Sequence, residues 1–340
     1  MTVGADRWKP DLLGGEWVNW QFAVPELRGQ VPMATVITQS KWLDPHGAAR
    51  SVNGQAVHAA VLYVHGYNDY FFQEHLAAQI ESLGIAFFAI DLHGYGRSTS
   101  DEATRNDAHS LREYGFELAQ ATSLIRQELG FEELIIMGHS TGGLIASLWA
   151  HSATGRATVD ALILNSPWFD LNRPWFDRVV ATAMLDAVGQ YVTDYVLSED
   201  ESQYARMLHK DFGGLWEFDT TLKRIDATPV RSGWLRAIRE GHARVAQGLE
   251  LDCPVLVCTS DRSGSSSSDE VRRRTSDTVL DVLQIVARAP FLGSQVDVVQ
   301  IAGGVHDLAL SEEGPRSSYF SVVKDWLRVH GFSVTPSAHS

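Results

Sequence analysis

Six short apolar runs, rich in β-branched residues and bounded by Gly, Asp or Ser, punctuate the chain: Ala59 to His65, Ile85 to Asp91, Glu133 to His139, Ala161 to Ser166, Pro254 to Ser260 and Val296 to Ala302. They lack polar alternation, which fits strands of a parallel sheet covered on both faces. Between them the period lengthens. Leu111, Tyr114, Leu118, Ala121, Ile125 and Leu129 recur at steps of three or four, predicting a helix with one apolar stripe. A last such segment, around Ser317 to Val329, sets Phe320, Val323 and Leu327 on one face and predicts the helix that closes the sheet. Strand and helix alternate, so the fold class is α/β: a doubly wound, mostly parallel sheet whose ligands sit beyond the carboxyl ends of its strands. Residues 1–57 add one or two antiparallel edge strands, with Ala34 to Gln39 the best candidate.

From Pro167 to Leu251 this rhythm breaks. The segment becomes helical and aromatic, with Trp168, Phe169, Trp175, Phe176, Tyr191, Tyr195, Trp216, Phe218 and Trp234. It reads as a cap inserted between two strands. The core is then 58–166 and 252–332, the cap 167–251, and 333–340 a disordered tail. A length of 340 residues is compatible with one core and a lid. Ser263 to Ser268 is the one low-complexity stretch and predicts a mobile loop.

Charge narrows the partners. A formal net charge of −14 leaves no excess of Lys and Arg for phosphate backbones, which argues against nucleic acid. No apolar run approaches the roughly 20 residues of a membrane-spanning helix, so no integral membrane segment is expected. The first ten residues lack the apolar stretch of a secretory signal, and a cytoplasmic location is expected. Cys253 and Cys258 are the only cysteines; their odd separation along one strand points them to opposite faces, against a disulfide, and no further sulfur suggests a zinc site. Nothing in the pattern bears on oligomeric state.

The chemistry begins at Gly138-His139-Ser140-Thr141-Gly142-Gly143, between the apolar run Glu133 to Met137 and a helical segment Leu144 to Ala150. Strand, tight turn and helix are the context that a Gly-x-Ser-x-Gly nucleophile turn requires. Its serine sits in a strained conformation at a helix amino terminus, and its glycines avoid collision with neighbouring backbone. Ser140 is the candidate nucleophile. Among 13 histidines, His306 stands apart: it follows the last predicted strand and Gly303-Gly304, free to bring an imidazole to Ser140 as general base.

With His65-Gly66-Tyr67, Asp91 through Ser98, the serine turn and Gly304-Val305-His306-Asp307 in order, the chain resembles the α/β-hydrolases of the monoglyceride lipase and lysophospholipase type over about residues 58 to 330. The resemblance implies an oxyanion hole from the backbone N–H groups of Tyr67 and Thr141. It implies a structural turn at Asp91 to Ser98, with Arg97 fastening neighbouring loops. Two aspartates compete as the acid. Asp261 directly follows a strand, the usual level in this fold. Asp277 lies beyond the serine-rich loop, but its surroundings and its distance to His306 resemble the family better. Asp277 is preferred and Asp261 is the alternative; residues Ser260 to Ser276 become an inserted excursion whose base Asp261 and Arg262 anchor, and Asp281 becomes the N-cap of a following helix.

The expected activity is serine-dependent hydrolysis of carboxylic esters of lipid-like or small hydrophobic molecules, with no metal or organic cofactor implied. A peptidase or amidase of the same fold is the alternative, and a catalytically silent binding protein a further one.

Overall fold

The computed structural model describes residues 5–44, 51–52, 55–171 and 193–333. Its centre is a nine-stranded sheet. The strands are β1 (Lys9–Pro10), β2 (Trp17–Ala23), β3 (Met33–Gln39), β4 (Ala59–Val64), β5 (Ala86–Asp91), β6 (Glu133–His139), β7 (Ala161–Asn165), β8 (Val255–Ser260) and β9 (Val296–Ile301). In space they run β1-β2-β3-β5-β4-β6-β7-β8-β9. From β5 to β9 every pairing is parallel, while β1, β2 and β3 join antiparallel at one edge. The amino-terminal segment therefore supplies three edge strands, one more than the pattern suggested.

Each face of the sheet has its own core, which is why the inner strands need no polar alternation. Along β4, Ala60, Leu62 and Val64 join one cluster with Leu118, Leu144 and Trp149; Val61 and Tyr63 face the other with Leu76, Ile80, Val323 and Leu327. The carboxyl-terminal helix, Glu313–Val329, buries Phe320, Val323 and Leu327 together with Tyr319 and Trp326. The stripe from Leu111 to Leu129 is one helical stretch that changes pitch: a 3-10 turn (Leu111–Tyr114), an α-helix (Gly115–Ser123) and a π turn (Leu124–Glu128). Ser110 and Glu113 form a capping box at its start.

One expected buried strand is not buried. In β9 only Ile301 is fully covered, because it is the last strand of the sheet and, among the described residues, no further strand pairs with its outer edge. Between β7 and β8 the described residues are also less helical than expected. Beside the helices Gln203–Leu208 and Ser232–Ala246 they contain an antiparallel ribbon, Val196–Glu201 with Ala227–Arg231. Trp168, Phe169 and Trp234 belong to the main core, Phe218 packs with Tyr70 and Phe72, and Tyr195 is exposed. Trp175, Phe176 and Tyr191 lie outside the described residues, as do residues 334–340. Among the described residues no helix is long and apolar enough to cross a membrane.

Candidate active site

The order of the strands reverses around β4: the chain steps from it to β5 on one side and then to β6 on the other. The loops after β4 and β6 therefore open the crevice in which such sheets hold ligands. Ser140 follows β6 directly and caps the helix Thr141–His151, with φ 54° and ψ −118°. A non-glycine residue held there stores about 1–3 kcal/mol of strain. Hydrogen bonds over-determine it: the Ser140 amide donates to Asn165 O (3.0 Å), while its carbonyl accepts from Gly143 N (3.0 Å) and Trp168 N (3.0 Å). The glycines are sterically required. A Cβ on Gly138 would lie 2.6 Å from Gly142 O, and one on Gly143 2.8 Å from Pro167 Cβ. On Gly142 it would overlap the carbonyl oxygens of His65 and Val64.

His306, on the loop after β9, points Nε2 at Ser140 Oγ (2.9 Å) and Nδ1 at Asp277 Oδ2 (2.8 Å). All three side chains are buried. The other Asp277 oxygen accepts the amides of Val279 and Leu280, both at 2.8 Å. The carboxylate is thus aimed by its own turn and satisfied at both oxygens. With that carboxylate accepting at Nδ1, the imidazole carries its proton there and leaves Nε2 as the acceptor toward the serine hydroxyl.

Asp261 does not reach His306. It pairs with Arg262 (2.6 Å) and accepts the Gly303 amide (2.9 Å). The hydrogen bond from Arg262 holds its carboxyl below the usual range. The excursion between them closes on itself like a short parallel bridge: Asp277 N donates to Arg262 O (3.0 Å), Gly264 N to Asp277 O (2.7 Å), and Val282 N to Ser263 Oγ (2.9 Å). Asp281 accepts the Leu283 amide at the start of the helix Val282–Arg288.

The loop after β4 carries Tyr67. Among the described residues neither the Tyr67 amide nor the Thr141 amide donates to an acceptor of the protein. Residue patterns alone passed over His65, which orients this loop. Its Nε2 accepts the Leu92 amide (3.1 Å), so Nδ1 carries the proton and donates to Gly66 O (2.7 Å). Because the peptide is planar and trans, fixing Gly66 O on one side sends the Tyr67 N–H to the other.

Further contacts form here that no motif announces. Tyr67 donates its hydroxyl to Pro229 O (2.7 Å), Asn68 exchanges hydrogen bonds with the Arg224 backbone, and buried Asp69 pairs with buried Lys223 (2.7 Å). The loop after β4 is thereby fastened to the segment between β7 and β8. Asp69, His139 and Asp307 gather within 4.8 Å, a grouping able to hold a cation. The Lys223 ammonium already supplies positive charge there, and Asn165 and the Ala309 amide occupy Asp307. Burial lowers the pKa of His139, keeping it neutral beside the His306 ring 4.9 Å away. A second grouping, Asp107, His109 and Asp194, is not part of the cavity wall over the serine, and Asp194 is exposed. Among the described residues, a cavity of about 1380 Å³ opens over Ser140 and His306, walled by Trp168, Val230, Trp234, Leu280 and Leu283.

Solved structures with this architecture include a monoglyceride lipase from Saccharomyces cerevisiae, 13% identical over 91% of this chain and 96% of that one (TM-score 0.62). A thermostable carboxyl esterase from Bacillus coagulans is 12% identical over 92% of this chain and 98% of that one (TM-score 0.60). A monoacylglycerol lipase from Paleococcus ferrophilus is 17% identical over 80% of this chain and 95% of that one (TM-score 0.54). No curated protein sequence matches the chain. Residues 55–273 match the family described as serine aminopeptidase, S33; they include β4, the Ser140 turn and the segment between β7 and β8, and the chain belongs to that family of α/β-hydrolases.

Proposed function

We propose that the chain is a carboxylic ester hydrolase that works through an acyl-enzyme on Ser140. The observation that carries this reading is the relay from Ser140 Oγ through His306 to Asp277, with contacts of 2.9 Å and 2.8 Å. As Ser140 attacks the ester carbonyl, His306 Nε2 takes the hydroxyl proton, and the Asp277 carboxylate steadies the imidazolium through Nδ1. The developing oxyanion lies at the helix amino terminus, where the amides of Thr141 and Tyr67 are available to donate to it. His306 returns the proton to the leaving alcohol. Water then repeats the sequence against the acyl-enzyme and frees the acid.

The apolar cavity wall favours an aliphatic or aromatic acyl group, hence a lipid-like or small hydrophobic ester. In this reading residues 167–251 act as a cap that shields the carbonyl from bulk water. The setting is cytoplasmic, where reducing conditions keep Cys253 and Cys258 as free thiols.

An amide substrate is the second reading, favoured by the description of the matched family and by Asp200 and Glu201 on the cavity wall, carboxylates suited to an ammonium group. A fluorophosphonate probe and paired p-nitrophenyl ester and aminoacyl p-nitroanilide substrates separate the two. The expected outcome is labelling that disappears in Ser140→Ala, with ester turnover far above anilide turnover. Labelling that persists in Ser140→Ala would sink the nucleophile assignment; the absence of any labelling or turnover in the wild type would favour a silent binding protein.

A further inference from the structure

The residues between Ser260 and Asp277, absent from the simpler pattern the chain resembles, form part of the wall of the cavity that holds Ser140 and His306. This segment is rich in arginine and serine in a chain whose formal charge is −14. We propose that it is an anion-binding wall, and that the ester hydrolysed at Ser140 carries a carboxylate or phosphate remote from its scissile carbonyl. The inference rests on the esterase reading above and adds the substrate class.

The arginines of this segment are not equivalent. Arg262 is held by Asp261 at 2.6 Å, and Arg274 turns away to Glu270 (3.1 Å) and Gly213 O (2.8 Å). Arg272 and Arg273 line the cavity. Among the described residues neither has a carboxylate in ion-pair range. Arg272 gives one hydrogen bond to Ser263 O (2.9 Å), whereas among the described residues the Arg273 guanidinium has no partner and its Nε is shielded from solvent. An unpartnered, shielded guanidinium donor is unfavourable unless an acceptor arrives, because it has lost water without regaining a hydrogen bond. Guanidinium stays charged and offers a planar fork that fits carboxylate and phosphate oxygens.

The acids of the cavity do not cancel this charge. Asp69 is neutralised by Lys223 at 2.7 Å and Asp261 by Arg262, while Asp281 is engaged with the Leu283 amide. Asp200 and Glu201 stand on the ribbon Val196–Glu201 and repel an anion from their own wall. An ester with its acyl chain along the apolar lining and an anionic end is therefore directed toward Arg272 and Arg273.

Two matched pairs of esters test this and locate the anion: mono-4-nitrophenyl adipate against its methyl ester for the acyl side, and a monoacylglycerol phosphate against the monoacylglycerol for the alcohol side. At low salt the wild type is expected to favour the anionic member of one pair by about tenfold in kcat/KM, as charge-assisted pairing supplies. The preference should shrink as salt rises. In Arg272→Gln/Arg273→Gln the ratio within that pair should fall toward one, whereas Arg236→Gln, on an exposed helix face, should leave it unchanged. Because each ratio compares two substrates on one protein, loss of folded enzyme does not mimic the result. A wild-type ratio at or below one in both pairs overturns the proposal without any variant, as does a preference that survives the double substitution. Hydrolysis of the neutral esters undiminished in Ser140→Ala would instead overturn the esterase reading beneath it.

Discussion

Two strand ends bring polar groups to His306 in opposite ways. After β6 the chain turns at once: Ser140 follows the strand directly, and Gly138, Gly142 and Gly143 leave the backbone no room for any other path. After β8 the chain leaves the site, forms the Ser- and Arg-rich excursion, and returns to set Asp277 beside the histidine. The first arrangement is enforced by local sterics. The second depends on closure, through the backbone contacts of Asp277 with Arg262 and Gly264 and the amides of Val279 and Leu280. A serine held in a rigid turn tolerates little change around it, whereas a carboxylate delivered by a closed loop leaves the loop free to take on another task.

Substitutions can break this comparison at either end. The largest effect is expected at the serine: Ser140→Ala should lower kcat/KM on p-nitrophenyl esters by roughly 10⁴-fold or more, read in steady-state assays of protein whose circular dichroism is unchanged. At the other strand end, Asp277→Asn should cost about 10³- to 10⁴-fold in kcat, since an amide NH₂ facing Nδ1 selects the wrong imidazole tautomer. Asp261→Asn should stay within about threefold, because that carboxylate serves Arg262 and the Gly303 amide. Equal losses in the two asparagine variants would show that the excursion does not deliver the acid as described.

Stability sharpens the contrast. Gly142→Ala drives a methyl group into the His65 and Val64 carbonyls and should destabilise by about 3 kcal/mol in denaturant melts. Ser263→Ala, which removes the hydroxyl accepting the Val282 amide in the excursion, should cost about 1 kcal/mol and leave activity nearly intact. If Ser263→Ala proved as damaging as Gly142→Ala, the loop would have to be as rigid as the turn.

The local features were legible from residue order. The glycine spacing around Ser140, the apolar runs and the helical stripes are short-range statements about sterics and burial, and the inner strands and the serine turn follow them closely. His306 was named from its place after the last predicted strand and Asp277 by resemblance, and the fold brings both to Ser140. His65 and Lys223 were not legible as site residues. His65 acts through one backbone carbonyl, and Lys223 is distant in sequence from Asp69, so no spacing rule connects either to the serine. Nor could an apolar run disclose that β9 would be left at an edge.

By itself, then, the amino-acid order determined where the chain must turn tightly, which faces must be covered and which residue the turn presents. Backbone sterics and hydrophobic burial act over a few residues, and a linear pattern records them. Tertiary structure alone decided which carboxylate faces His306, how the loop after β4 is tied to the segment between β7 and β8, and which arginines stand at the cavity without a carboxylate in ion-pair range among the described residues. Those outcomes depend on where distant segments close against one another, and the energies of such contacts exist only once the intervening chain has folded.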